Sequence, residues 1–519
     1  MKMKITVEIE HADGLKEIKP IVIDTEIPDF DEFTSPDNFR EVFHKYETAV
    51  LKARNMAAEL ATEEYLTELS KKKITTEAEE RDGVTVNEDD SGYKLETEIG
   101  RIEVVTHRLE KGSRSVYNTK IDVFPKVGPN ERYRSSCYDV LEMRLVTYMS
   151  YRKSVEIMNR LRWQDSDDLI KSRTLADAVV REGAKVIDYM EVKSKQILAK
   201  HHFDEKSGKP KEGHALEIVE GRSEITAFSA DEVTKAIDEY NEGKEKDRQI
   251  DATQSHEVFE NPAHSVNISV DDVGVTEQKA TGRSSDPVAK ESKHYVQNTV
   301  IHIQQGLNKY ILDGLGIRKT MILLTSFLLY NNLLTNKSII FFADGAADIK
   351  NPIKDIYGWR SYQIILDWYH LKKKCKELLS MALKGRVIKN DVLKEVLALL
   401  WLGKVDAAAL YLRGLDNSKV RNAQQIEKLI GYFNRNLSHI PCYALRKKLG
   451  LRTSSNQGEK ANDLVVAQRQ KHNGMSWSKP GSSGLANIRT LFLNQEDDNW
   501  ITRRELDFKL ISTPRAKCA

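Results

Sequence analysis

Residues 338–345 read Ser338-Ile339-Ile340-Phe341-Phe342-Ala343-Asp344-Gly345, an unbroken apolar run that stops at an acid. An apolar run with no polar residue in alternation suits a strand buried on both faces, inside a sheet that helices cover. The neighbouring sequence supplies that setting. Upstream, Val266-Asn267-Ile268-Ser269-Val270-Asp271-Asp272 predicts another strand that runs into acids. Residues 273–278 are expected to form its hairpin partner, 295–304 a third strand and 320–334 a very apolar helix. Downstream, a helix over 346–357 leads to a strand at Gln363-Ile364-Ile365-Leu366-Asp367.

This β-β-β-α-β-α-β order is that of an RNase H-like fold, and acids at the ends of its central strands have a chemical use. Cleavage or transfer of a phosphodiester leaves little covalent work to a protein: two metal ions about 4 Å apart activate the attacking oxygen and stabilise the leaving one. Mg²⁺ takes oxygen ligands, so such a site is assembled from Asp and Glu carboxylates carried by separate elements. Asp271 and Asp344 suit that arrangement, although Asp-Gly at a strand end is also an ordinary turn. Asp271 and Asp272 compete for one role. Strand alternation groups Asp271 with Asn267 and Ser269, away from Val266, Ile268 and Val270, so Asp271 is the expected site residue.

The chain of 519 residues carries 30% charged and 8% aromatic residues, as expected of a globular protein with three or four folding units. No apolar run approaches the length of a membrane span, and the first ten residues alternate instead of forming the core of a signal peptide. No membrane partner is therefore expected. Cys137, Cys375, Cys442 and Cys518 lack any paired spacing for zinc or disulfides, in keeping with a reducing, cytoplasmic setting. The net charge of +2 hides an asymmetry: residues 1–100 are strongly acidic and 370–519 strongly basic, which favours a polyanionic partner for the latter.

Residues 1–92 read as acidic and mostly helical, with a short strand at 4–9 and a helix over 39–69. A period of two over 93–127 predicts a small antiparallel β unit, taken as 93–135. Helical periodicity returns over 136–200, with one helix from Tyr138 through Leu161, a polar turn at 164–168 and a second helix at 172–190. Such a pair suits a helix-turn-helix, with Ser172, Arg173 and Thr174 at the start of the helix that enters the DNA major groove; most helix pairs are simply structural. Residues 201–264 read as a polar linker or insertion with one helix at 230–240. Then come the first part of the α/β core at 265–370, an all-α insertion at 371–440 and the rest of the core at 441–519.

Ala343-Asp344-Gly345-Ala346, followed by Ile365-Leu366-Asp367-Trp368-Tyr369-His370, resembles the second-aspartate region of bacterial insertion-sequence transposases of the ISLre and ISKra type, relatives of the Mutator-like enzymes. Ser454-Ser455-Asn456-Gln457-Gly458-Glu459-Lys460-Ala461-Asn462 resembles their third-acid segment, and Gly474-Met475-Ser476-Trp477-Ser478 the segment after it. Ile268-Ser269-Val270-Asp271 is similar to their first-acid strand. Ile99-Gly100-Arg101-Ile102-Glu103-Val104 resembles a β segment of the family, and Met149-Ser150-Tyr151-Arg152 with Lys171-Ser172-Arg173-Thr174 its helix-turn-helix. The resemblance spans about 99–500, apart from the polar stretch.

It implies a multidomain α/β protein, a DDE transposase with an RNase H-like mixed-sheet core, that cleaves and transfers DNA strands at the ends of a mobile element. Asp271, Asp344 and Glu459 would hold two Mg²⁺ (or Mn²⁺) ions. Double-stranded DNA is the implied partner, and pairing two element ends implies a homodimer or higher oligomer. The sequence departs from the family at Asp272, where Gly is usual, and at Ser454-Ser455-Asn456, where Gly-Ser-Gly lets backbones approach closely. His370 is expected to contact phosphate, orient a site residue or serve structurally. Lys372 and Lys373 are candidates for neutralising phosphates, as are Arg469 and Lys471 on the helix expected to carry Glu459. Trp477 is weighed as a base-stacking residue against an ordinary packed tryptophan. Two other readings are a domesticated, non-catalytic DNA-binding regulator and a nuclease without strand transfer; three acids favour an enzyme.

Overall fold

The computed structural model describes residues 1–7, 21–36, 38–124, 132–163, 169–213, 227–278, 294–471 and 474–512. The protein is mixed α/β, and its contacts divide it into two units, Met1–Ala178 with Ile501–Arg503 and Val179–Trp500 with Arg504–Ala519. No helix among the described residues is long and apolar enough to cross a membrane.

The first unit opens with an antiparallel pair, β1 (Lys2–Val7) and β2 (Ile21–Glu26), of which the sequence predicts only the first. Helix α1 (Phe39–Glu79) follows, longer than its apolar spacing suggests. A four-stranded sheet runs in the order β5-β4-β3-β6, with β3 (Thr85–Glu96), β4 (Arg101–Lys111), β5 (Arg114–Asn118) and β6 (Tyr133–Arg134). Leu95, Ile102 and Val104 of this sheet bury against Leu66 and Leu69 of α1.

The single helix expected over 138–161 is two, α2 (Ser136–Tyr148) and α3 (Tyr151–Arg162). Met149 is extended, and the Ser150 hydroxyl caps α3 by accepting from the Lys153 amide at 3.3 Å, so the apolar period continues while the backbone breaks. At the end of α3, fully buried Arg162 donates to Glu96 at 2.6 Å. Asn55 of α1 donates to the Arg162 carbonyl at 3.1 Å, so one side chain fastens helix to helix. The turn expected at 164–168 lies outside the described residues. Helix α4 (Ser172–Lys200) follows, and from Val179 onward it belongs to the second unit.

The second unit is built on a six-stranded sheet in the order β11-β10-β7-β8-β9-β12. Ahead of it lies α5 (Ala230–Asn241). The strands are β7 (Ser265–Thr276), β8 (Tyr295–Gln305), β9 (Asn308–Leu315), β10 (Ser338–Ala343), β11 (Gln363–Leu366) and β12 (Ile511–Ser512). β7, β8 and β9 form an antiparallel meander, while β10 runs parallel to both β7 and β11. Residues 273–276 are thus not a hairpin partner but the continuation of β7. Val273 and Val275 stay buried along it, and its pairing with β8 runs unbroken through Asp271 and Asp272. The partner is β8, and β9 is a strand absent from the sequence reading.

β10 is buried on both faces, as its composition demands. Ile339, Phe341 and Ala343 join one apolar cluster with α6 (Ile317–Tyr330) and α7 (Ala347–Tyr357). Ile340 and Phe342 join another, formed by α8 (Trp368–Ala382), α9 (Arg386–Trp401), α10 (Val405–Arg413) and α11 (Ala423–Arg435). These four helices occupy the predicted all-α insertion.

The stretch 201–264 is packed rather than a linker over its described residues. Val233 and Ile237 of α5, with Ile250 and Phe259, bury against Leu402 and Leu445. Glu260 accepts from Arg446 in an ion pair that leaves the two side chains 3% and 1% exposed. Four well-spaced apolar residues and one paired acid suffice to dock a segment whose overall composition is polar.

Candidate active site

Three neighbouring strands, β11, β10 and β7, run parallel; β11 and β10 end here, while β7 continues past its acids to Thr276. β10 is in register with β7 as far as Phe342 opposite Ser269, and with β11 as far as Ala343 opposite Leu366. Continuing that register puts Asp344 level with Asp271 on one side and with Asp367 on the other. The Asp367 amide donates to the Ala343 carbonyl at 2.9 Å, which holds the row together beyond the last paired residues. Val266, Ile268 and Val270 face the apolar cluster, so Asp271 lies on the other side of β7, as alternation requires. Asp272 is engaged elsewhere, its carboxylate accepting from the Thr299 hydroxyl across the ladder at 2.6 Å.

Asp344 begins a turn in which Gly345 adopts φ +85°, a conformation open to glycine, and a side chain there would strike Leu366 at 2.8 Å. The turn lets the Ala346 amide donate to Asp344 Oδ1 at 2.8 Å, while the Tyr432 hydroxyl of α11 donates to the Asp344 carbonyl at 3.1 Å. Asp271 accepts from the Asp272 amide at 2.9 Å and from the Asn462 side chain.

Glu459 comes from α12 (Asn456–Asn462). This helix lies so close to β7 that a Cβ on Gly458 would sit 2.5 Å from Ser269 Cβ. The close backbone approach expected of the altered Ser454-Ser455-Asn456 segment is therefore provided by Gly458, one residue before the acid. Glu459 Oε1 is buried, has no hydrogen-bond donor among the described residues, and lies 3.8 Å from His370 Nε2.

His370 is the hinge of the cluster. Its Nδ1 lies 3.5 Å from Asp367, and ligand atoms of Asp367, His370 and Glu459 all fall within 4.8 Å of one another. Burial pulls the His370 pKa down, but the Asp367 carboxylate outweighs it with help from Asp271 and Asp344, and the net shift is upward. Asp367 is fully buried and caps α8 by accepting from the Tyr369 and His370 amides at 2.7 and 3.1 Å. Burial would raise its pKa; bonds from His370 and Ser455 more than offset this and hold it below the usual range. Burial raises the Asp271 pKa to about 6, with the Asp344 and Asp272 charges adding to it and His370 opposing it. Glu459 is raised by burial and by Asp367, against His370 and Lys373.

This pattern is that of a site short of positive charge. Buried or half-buried carboxylates crowd together, two hold their protons more tightly than usual, and one buried oxygen has no donor. Among the described residues, the group whose ligand atoms come close enough to share a metal ion is Asp367, His370 and Glu459, with Asp271 and Asp344 on the neighbouring strands outside it.

The other predicted residues divide. Lys372 and Lys373 are exposed on α8 just beyond His370, and Lys471 is exposed. Ser172 and Arg173 are exposed at the start of α4, Thr174 is half-buried, and Arg173 pairs with Asp177 at 3.0 Å. Arg469 and Trp477 do not present a surface to DNA. They are 4% and 5% exposed, the guanidinium sits 5.2 Å from the indole centroid, and the indole N–H donates to the Gln470 carbonyl at 3.1 Å. The packed reading of Trp477 replaces the stacking one, since its polar edge is used inside the fold. Asp367, Asn462 and Gly458 are absent from the predicted site; for Asp367 the signal was present, an acid closing an apolar strand in the same way as Asp344.

Comparison with known protein families, known proteins and solved structures finds no match for this chain. Function is therefore argued from the residues.

Proposed function

We propose that the chain is a DDE-type DNA transposase with an RNase H-like core, acting through divalent metal ions at Asp271, Asp344 and Glu459. The observation that carries this reading is the strand register, which sets Asp271 and Asp344 level on adjacent parallel strands, while Gly458 lets α12, which carries Glu459, lie against β7 at Ser269. The order of meander, helix, parallel strand, helix, parallel strand supports the core assignment.

In this reading the ions, when bound, activate the attacking oxygen and stabilise the leaving one. The protein's residues supply the frame. The Ala346 amide, the Asp272 amide and the Asn462 side chain fix the carboxylates, so that the site is preorganised before DNA arrives. Asp367 orients His370, whose raised pKa adds positive charge beside the acids. Lys372 and Lys373 lie one turn further along α8, suited to the phosphates flanking the scissile bond. In the first unit, Asn159 donates to the Ile170 carbonyl at 3.1 Å and accepts from its amide at 2.9 Å. Those two bonds tie α3 to the approach to α4 and support a helix-turn-helix that presents Ser172 and Arg173 to a major groove, within a dimer that pairs two DNA ends.

The test is Asp344→Asn. Strand cleavage of duplex DNA in Mg²⁺ is lost while gel-shift binding of the same duplex stays near wild type. Undiminished cleavage refutes the assignment. Wild-type protein that nicks but never joins strands makes it a nuclease, and wild-type protein that binds without cleaving makes it a regulator.

A further inference from the structure

Away from the acids, the first unit carries an aromatic stripe on the open side of α1. Phe39, Phe43 and Tyr46 are 51%, 41% and 37% exposed, and their spacing of four and three residues sets them on one face of the helix. Phe33, just ahead of α1, extends the stripe. Ring centroids run 5.9 Å from Phe33 to Phe39, 5.3 Å on to Phe43, where the rings stack, and 6.0 Å on to Tyr46. α1 meets its own unit further along, where Ala53 and Ala57 pack with Ile23 of β2. The stripe thus leaves roughly 300 Å² of ring surface to solvent, a patch of the size that marks an interaction site on a monomer.

The charges beside it select what covers it. Arg40 and Glu47 are exposed on one flank of the stripe, about two helical turns apart. Neither has an ion-pair partner among the described residues, whereas Glu41 and Lys45, on the far side of the helix, pair with each other at 2.9 Å. Arg40 with Glu47 and Phe39 with Tyr46 are each centred on Phe43 to within about half a residue, or less than 1 Å of helix rise. A second α1 laid antiparallel about a two-fold axis at Phe43 therefore brings Arg40 of each copy to Glu47 of the other, Phe39 over Tyr46 and Phe43 against Phe43. A parallel copy would set Arg40 on Arg40 and Glu47 on Glu47. Nucleic acid is a poor occupant, because residues 1–100 are strongly acidic.

We propose that the aromatic stripe of α1 is a homodimer interface, closed by an antiparallel second copy of this chain. A two-fold contact is isologous, so one stripe serves both copies. Its area is small for a specific interface, and association is expected at micromolar concentrations. The transposase reading asks for a dimer and α1 supplies the surface; association is measured without DNA or metal, so either can fail while the other stands.

Sedimentation equilibrium of the full chain from about 1 to about 100 µM is expected to show a monomer–dimer equilibrium. Phe43→Asp, at an exposed position, is expected to leave the circular dichroism spectrum unchanged and to weaken association at least about tenfold. Arg40→Glu and Glu47→Arg each set like charges against each other at both symmetry-related contacts, and each is expected to weaken it by about tenfold. Mixing these two single variants restores opposite charges at both contacts, and the mixture is expected to associate as wild type does. Such rescue requires contact between copies in the antiparallel arrangement. A protein that stays monomeric throughout, a dimer indifferent to Phe43→Asp, or a mixture no tighter than its two components overturns the proposal.

Discussion

Replacing Gly458 by alanine adds one methyl group at the closest approach between α12 and β7. The added Cβ would lie 2.5 Å from Ser269 Cβ, where ordinary contact begins at 3.4 Å, so the helix must retreat by about 0.9 Å. Overpacking of this kind costs roughly 1–3 kcal/mol, which a domain stable by about 5–15 kcal/mol survives. The cost to chemistry is larger. Glu459 is the next residue on the retreating helix, and a ligand misplaced by about 1 Å costs on the order of 100-fold in rate. Urea denaturation should therefore show a folded, modestly weakened protein, while Mg²⁺-dependent nicking of duplex DNA falls about 100-fold. Adding Ser269→Gly removes the opposing atoms and leaves Ser455 Cβ at 3.7 Å as the nearest neighbour, so the double variant should recover most of the lost rate. A Gly458→Ala protein that cleaves at the wild-type rate, or a double variant no better than the single, refutes the reasoning.

Asp271 makes the site's charge deficit measurable. Because its pKa rises from 3.8 to about 6 on folding, the folded protein binds the proton more tightly than the unfolded chain, and stability declines as pH climbs from about 4 through about 6. In EDTA near neutral pH, Asp271→Asn should be more stable to urea than wild type by up to about 3 kcal/mol, with the gap closing towards pH 4 and shrinking when Mg²⁺ is added; a gap constant with pH contradicts this. Trp477→Phe should lower stability by about 1 kcal/mol through the lost bond to Gln470 and leave DNA affinity in gel shifts unchanged, whereas a selective loss of binding would restore the stacking role.

The sheet was legible where composition and position agree. Ser338-Ile339-Ile340-Phe341-Phe342-Ala343 has no polar residue to offer solvent after its first, and alternation along Asn267, Ser269 and Asp271 separates Asp271 from Asp272. β9 was not legible, because Asn308-Lys309-Tyr310-Ile311-Leu312-Asp313 mixes charge with apolar residues, and only the folded protein shows Asp313 buried. The break between α2 and α3 was hidden by an apolar period that runs through it; the serine cap at Ser150 was the local signal. The docking of 201–264 rests on one acid, Glu260, finding Arg446 far along the chain, a pairing that no local pattern announces. Within the candidate site, the level positions of Asp271 and Asp344 could be anticipated from strand parity and an apolar run that stops at an acid, while Glu459 was reached through the resemblance alone. Asp367 and His370 needed the third parallel strand to place them, and Gly458 needed the helix to be seen lying on Ser269.

Asp344→Cys offers the most direct test of the metal site. A thiolate is a poor ligand for Mg²⁺ and a better one for Mn²⁺. If Asp344 holds a catalytic ion, the variant is inactive on duplex DNA in Mg²⁺ and regains strand cleavage in Mn²⁺, with wild type active in both. Cleavage that is undiminished in Mg²⁺, or absent in both metals from a variant that folds and binds DNA as wild type does, contradicts the account.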